Sequence, residues 1–567
     1  MEKLILLKKH VIIYIIACIL MVPTSTCGQA LDSHIETISS ALETVEASKL
    51  EYSQNLKLST TNYVTYTVTS VDSKGKTEVI DYNFSFADID INTIRSITKK
   101  DVIVVQLLIK GKQKLIKKIS NSGEKVSYVD NTFFYAKNID NGRDLVGAIK
   151  DIIPINETLE KNKLALNSYI DHQNWIIDNV QDVEYTKTQF VQKIDPSDTN
   201  NGHLKVNTTI NSKSKTTTYE YEFNLATLNP NSLIFKINSD EFYIEANSRR
   251  NIKTIKVFKN GVQESFTNKV RFYSGSIENG KDIYKVLKQI IPIAEEAFSN
   301  SKPNISSTAS AYQYLNGIIK NISTNDNTIV QSIDGDCVTK IIVQETNPKE
   351  TINNEYNFNF NDINLDNIDF NTNKTRLYIE VNTRKKADFI RHVKNDELQN
   401  YTNDFKLYVN SIEDAMLAKE ALQNITKNCE LSKVKTDFNS ITSGLEALKN
   451  EVTLVKIGDD NYDQSLETVN TSPYVLKITS VFSNLKSSKE TIYEFGLGDI
   501  NSKNISIATS GKKVMVEINT KHLEKIIKTY QDGSIKSYAY KIAIQATDIE
   551  NARRIVNILK NITLKLE

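Results

Sequence analysis

Four short stretches decide how this chain folds: Tyr82-Asn-Phe84-Ser-Phe86, Tyr221-Glu-Phe223-Asn-Leu225, Tyr356-Asn-Phe358-Asn-Phe360 and Tyr493-Glu-Phe495-Gly-Leu497. In each, large apolar residues alternate with polar ones, the period of a strand with one buried face. The tyrosines recur at intervals of 139, 135 and 137 residues. In three of the four an Asp-Ile pair follows at the same offset (Asp88, Asp362, Asp499), and Thr227-Leu228 stands in the second. An Asp there commonly accepts backbone hydrogen bonds in a turn, and Thr227 is expected to do the same job.

Elements on either side keep the same period. A second alternating strand follows at Val102/Val104, Phe242/Ile244, Leu377/Ile379 and Val514/Val516. Turns come next at Asn121-Ser122-Gly123, Asn260-Gly261, Asn395-Asp396 and Asp532-Gly533, residue types that tolerate positive φ. Ile139, Ile277, Ile412 and Ile549 then open helices whose apolar residues form one stripe (Leu145, Val146, Ile149, Ile152 and Ile153 in the first). A leading amphipathic helix is expected near 35–49, 159–180, 309–322 and 438–452. Four elements in register at one period describe tandem complete domains, since about 135 residues suffice for a separate core.

The predicted class is therefore α+β: four homologous units, each a helix, about seven antiparallel strands forming a barrel or a strongly bent sheet, and a carboxyl-terminal helix, with an open sheet carrying both helices on one face as the alternative architecture. The expected boundaries are a signal peptide at 1–30 and repeats at 31–155, 156–300, 301–431 and 432–567. Pro154 is read as ending the first closing helix, and Ser299 to Ser310 as the clearest linker. In the first unit the strands are placed at 64–71, 79–86, 93–98, 102–109, 115–120, 125–129 and 132–137.

The amino terminus reads as an address. Lys3, Lys8 and Lys9 precede an apolar run from Val11 to Val22, and small residues follow Pro23. This is the layout of a secretory signal, with too short a core for a membrane span. Lipoprotein anchoring through Cys27 is the lesser alternative. The expected location is secreted, periplasmic or cell envelope, with no transmembrane span in the mature chain. Lys plus Arg number 70 and Asp plus Glu 69 in 567 residues. Loss of the signal turns a net +1 into about −1. Such neutrality excludes a nucleic-acid binder relying on bulk charge, and 18 Gly with 8 Pro exclude a collagen-like chain.

Seven antiparallel strands closed by a helix resemble the pleckstrin-homology-like barrel, including its GRAM type. The resemblance lies in element order. It departs from the family in the closing helices, which lack the usual Trp; the sole Trp, Trp175, belongs to a leading helix. It implies that the hairpin between the first two strands binds anionic head groups. Lys74, Lys76, Lys213, Lys215, Lys349, Lys486 and Lys489 occupy that hairpin here. The next strand carries Tyr-x-Phe where the family continues its basic residues. A second basic turn holds Arg249, Arg250, Arg384 to Lys386, and Lys521.

Repetition also tests for catalysis, because a group needed in every unit recurs at its column. His172, His203, His392 and His522 share no column and show no paired-ligand spacing. Nucleophile elbows, Walker loops and dinucleotide fingerprints are absent from the sequence. No catalytic residue, cofactor or metal is therefore expected. Cys337 and Cys429, both in the third unit, are expected to form a disulfide, since export supplies oxidising conditions. The expected function is a non-enzymatic binding or scaffold protein meeting an unknown protein, glycan or lipid surface. The alternatives are a surface-associated hydrolase or its accessory module, with chemistry in one unit, and a carrier of an apolar ligand.

Overall fold

The computed structural model describes residues 23–566 apart from 61, 121–122, 124, 197–201, 324–326 and 432–436. The basic start and apolar run of the signal lie outside the described residues, as do Asn121 and Ser122 of the first predicted turn. The chain forms two compact bodies. Among the described residues, one comprises those up to 249 with 269–297, and the other 250–268 with those from 298 on.

Copy 1 shows the plan. Helix α1 (Pro23–Ala41) precedes strands β1 (Val45–Glu46), β2 (Leu50–Thr60), β3 (Tyr63–Asp72), β4 (Thr77–Phe84), β5 (Arg95–Lys99), β6 (Val102–Leu108), β7 (Ile116–Ser120), β8 (Lys125–Val129) and β9 (Asn131–Ala136), and helix α2 (Ile139–Asn162) closes it. The strands form two antiparallel sheets, β1-β2-β3-β4-β7-β8 and β5-β6-β9. Barrel closure is not found among the described residues. The closing helix lies along the three-stranded sheet and against α1, which also rests on β2. Copies 3 and 4 repeat the six-plus-three arrangement. In copy 2, strands 183–184, 188–196, 203–212 and 216–224 pair in sequence, and 234–238, 241–247 and 269–274 make the smaller sheet.

The remaining helices are α3 (Tyr169–Asn179), α4 (Ile277–Asn300), α5 (Thr308–Ile318), α6 (Ile412–Leu431), α7 (Ile441–Glu451) and α8 (Ile549–Leu564). All four closing helices begin at the expected isoleucine. Ser168, Ser307 and Ser440 start α3, α5 and α7 with capping boxes, each closed by the residue three further on. The Phe and Leu of the Tyr-x-Phe-x-apolar stretches are buried and the tyrosines half-buried. At the later turns, Asn260, Gly261, Asn395, Asp396, Asp532 and Gly533 all take positive φ.

Three expectations need correcting. The helix expected at 35–49 ends at Ala41, and β1 and β2 follow, so the copy has nine described strands instead of about seven. The leading-strand pattern was interrupted by a polar residue, Gln54, at an inward position between Tyr52 and Leu56. Pro154 also does not end α2. The Pro and Lys150 four residues earlier are both exposed, so water can meet the carbonyl that Pro leaves without a donor. Finally, the helix expected at 159–180 is two elements, broken between Asn162 and Tyr169.

Candidate functional site

The polar columns that recur through the copies are mostly consumed in holding the fold. The most regular was not anticipated. Gln54, Gln192, Gln331 and Gln464 occupy the second strand of successive copies, in a large-x-Gln-x-large pattern (Phe190-x-Gln-x-Ile194, Ile329-x-Gln-x-Ile333). Each carboxamide makes the same three bonds. Gln331 Nε2 donates to the Ile319 carbonyl at 2.8 Å and the Tyr408 carbonyl at 3.0 Å, and its Oε1 accepts the Tyr408 N–H at 2.9 Å. Gln54 does this with Glu43 and Tyr135, Gln192 with Gln181 and Tyr273, and Gln464 with Thr453 and Gln545. One side chain thus joins the larger sheet to the last strand of the smaller one. A buried amide is tolerable because its donors and acceptor are all used.

The Asp column works differently from the turn role expected of it. In copy 1 the turn N–H of Ala87 goes to Ser85 and Asn156. Asp88 instead meets Lys281 Nζ at 2.8 Å, 193 residues away on α4 of the next copy. Asp362 does the same with Arg553 Nη2 on α8, at 2.6 Å. Lys281 and Arg553 each stand four residues after the first Ile of their helix. Thr227 donates its hydroxyl to the Asn224 carbonyl at 2.6 Å. Burial pushes the Asp88 carboxyl up, and Lys281 draws it partway back. Burial also works against the Lys281 ammonium, but Asp88 and Glu160 outweigh it and raise its pKa.

Around this pair the first body carries further ties. Lys163 Nζ lies 2.7 Å from both Glu278 and Asp282. Lys285 Nζ donates to the Glu160 and Lys161 carbonyls at 2.8 Å, satisfying the C-terminal turn of α2. Tyr128 meets Phe242 edge to face at 5.0 Å between ring centres.

The basic turns divide. Arg249 pairs with Glu295 at 2.6 Å, and Arg384 with Glu430 and Lys110 with Glu157, each joining the turn to its own copy's closing helix. Lys521 donates to the Gly498 carbonyl. By contrast, Lys74, Lys76, Lys213, Lys215, Lys349, Lys486 and Lys489 are all exposed on the corresponding hairpin of each copy.

Cys337 and Cys429 are joined, with their Cα atoms 5.5 Å apart. The histidines stand apart. His172 is buried with Nδ1 2.7 Å from the Ser168 carbonyl, and His392 Nε2 is 2.9 Å from Asn354 Oδ1. Among the described residues no group of three or more His, Cys, Asp or Glu is placed to hold a metal ion.

A cleft of about 750 Å³ lies between copies 1 and 2 and is lined by Lys114, Tyr128, Tyr185, Asp240 and Glu241 among others. Asp240 accepts from the N–H and hydroxyl of Thr186, which hold its carboxyl below the ordinary range. Asp101 is held identically by Ser48 in copy 1, so the arrangement belongs to the repeat. A cleft of about 450 Å³ between copies 3 and 4 is lined by Phe358, Phe389, Tyr401 and Ile549, with Arg391 and Glu550 at its polar side. The two clefts share one column, Tyr128 and Tyr401, and differ in the rest of their lining. Among the described residues, no helix is long and apolar enough to cross a membrane. Compared with known proteins, the chain matches no family model, no curated protein and no solved structure.

Proposed function

We propose that the chain is an exported, non-enzymatic binding or scaffold protein of the cell envelope or exterior. Its four copies present Lys-tipped hairpins in series to an anionic glycan or lipid surface. In this reading each unit is a relative of the pleckstrin-homology-like barrel, opened into two sheets. One observation carries the proposal: the seven hairpin lysines are exposed in every copy, whereas the glutamine column is bonded within the protein in all four copies and Asp88, Asp362, Arg249 and Arg384 are ion-paired. Single exposed lysines bind weakly, and repetition adds avidity.

Binding of the purified chain to sulfated-glycan beads and to vesicles containing anionic lipid tests this. Successive Lys→Glu replacement in one, two and four hairpins should weaken binding stepwise, and added salt should do the same. Full retention by the four-hairpin variant overturns the proposal. A second reading, a hydrolase or accessory module with its chemistry in one copy, rests on the 750 Å³ cleft with its adjacent Asp240 and Glu241. Hydrolytic turnover of envelope glycans, lost on Glu241→Gln, would favour it.

A further inference from the structure

The contacts that join one copy to the next have matching halves that are left uncovered in copies 1 and 4. The first half is apolar. Ile277, Ile412 and Ile549, which open their closing helices, are 7%, 5% and 7% exposed, but their counterpart Ile139 in copy 1 is 60% exposed. Ile277 is buried in the core of copy 1, and Ile549 packs in one cluster with Tyr401 of copy 3. Tyr401 and its counterpart Phe266 are 8% and 6% exposed, whereas Tyr538, at the same position in copy 4, is 52% exposed. Phe389 packs against the core of copy 4, while its counterpart Ile526 is exposed.

The second half is polar. Tyr401 N–H donates to the Gly511 carbonyl at 2.9 Å and Phe266 N–H to the Lys374 carbonyl at 3.4 Å, both on the turn of the next copy's first small-sheet hairpin. The equivalent turn of copy 1 holds Lys100, exposed and with the same left-handed backbone as Lys374 and Gly511. The charge column completes the match. Arg553 pairs both with Glu550 on its own helix and with Asp362 of the preceding copy. Arg143, its counterpart in copy 1, pairs with Asp140 alone among the described residues, and its side chain is 74% exposed. Asp499, the counterpart of Asp362, is exposed and makes no ion pair among the described residues. Where the column loses its Asp at Thr227, the cation position four residues into the following helix is Met416, so the two change together.

From this we infer that the chain binds a second copy of itself head to tail. Copy 4 of one molecule docks on copy 1 of the next by the contacts that join copy 3 to copy 4. Asp499 meets Arg143, Tyr538 meets the Lys100 turn, and Ile526 and Tyr538 cover Ile139. Such an interface is heterologous, so association continues beyond the dimer unless the rotation closes a ring. The apolar column supplies affinity and the ion pair register, because an exposed pair alone contributes little.

Sedimentation velocity of the purified full chain across micromolar concentrations tests this. Dimers and longer species should grow with concentration. Arg143→Asp and Asp499→Arg should each weaken association about tenfold or more, and Tyr538→Glu likewise. Mixing the Arg143→Asp and Asp499→Arg chains should restore it, since each then offers the charge that the other lacks. Both positions are exposed, so the variants should keep the parent's circular dichroism. A chain that stays monomeric throughout, or association that neither reversal alters, overturns the inference.

Discussion

Replacing Gln331 by Met should unlock the third copy between its two sheets. The two side chains are similar in length, and Gln331 is buried, so little volume changes. What is lost is chemical. The Tyr408 N–H, bonded to Oε1 at 2.9 Å, is left without its acceptor, and the Ile319 and Tyr408 carbonyls lose a donor. An orphaned buried donor costs about 1–3 kcal/mol, and each lost neutral hydrogen bond about 1 kcal/mol. Partial solvation of the strand edge offsets some of this, leaving about 3 kcal/mol. A multidomain chain need not unfold in one step, so hydrogen exchange read peptide by peptide is the suitable assay. Peptides covering 328–335 and 404–409 should exchange on the order of a hundredfold faster, while copy 1 peptides stay unchanged. Gln399→Met, where the amide makes one bond to the Glu397 carbonyl, should cost under about 0.5 kcal/mol. Should Gln331→Met cost less than about 1 kcal/mol, the Gln column does not hold the sheets together.

Other perturbations probe the junctions and the fold. Lys281→Met leaves the Asp88 carboxylate buried without its cation and should destabilise the first body by about 3–5 kcal/mol in urea melts; adding Asp88→Asn should recover most of the loss. Peptide maps run without reductant should show Cys337 linked to Cys429, and Cys337→Ala should lower the stability of copy 3 by up to about 4 kcal/mol for the loop it closes. Glu245 is buried, which raises its carboxyl pKa, but Lys236 and Arg271 at 2.9 Å outweigh that and hold it below the ordinary value. A depressed folded pKa stabilises above the unfolded value of about 4.3, and that stability is lost as pH falls through the folded one. The urea midpoint of the first body should therefore drop in acid, and Glu245→Gln should flatten that part of the profile.

The repeat was legible because strand and helix periods are local properties of the backbone. Tyr-x-Phe alternation, the turn pairs and the isoleucines opening each closing helix all follow from spacings of two to four residues, and the structure keeps them. All seven strands expected in copy 1 are present within a few residues. The longer of the two missed strands concealed itself for a physical reason: Gln54 and its counterparts stand inward where an apolar residue would complete the alternation, while β1 is only two residues long. The repeated large-x-Gln-x-large pattern in all four copies was the available signal.

The lysine hairpins were likewise visible from residue type and turn chemistry, and they remain on the surface. The role of the Asp column was not visible in the same way. A carboxylate after a strand has a local explanation in the turn, and Asp88 declines it in favour of a lysine 193 residues further on. That distance reflects how one copy seats on the next, which local spacing does not encode.

By itself, the sequence determined that the chain is a four-fold repeat of α+β units and where each closing helix starts, because short-range periodicity is enough to specify those. Only the tertiary structure decided that each described unit splits into separate sheets and that one glutamine joins them. It also decided that charges far apart in sequence lock a copy to its neighbour while their counterparts in copies 1 and 4, Arg143 and Asp499, stay exposed. Those outcomes depend on which surfaces meet after folding, and burial gives the same residue type a different partner at each position in the series.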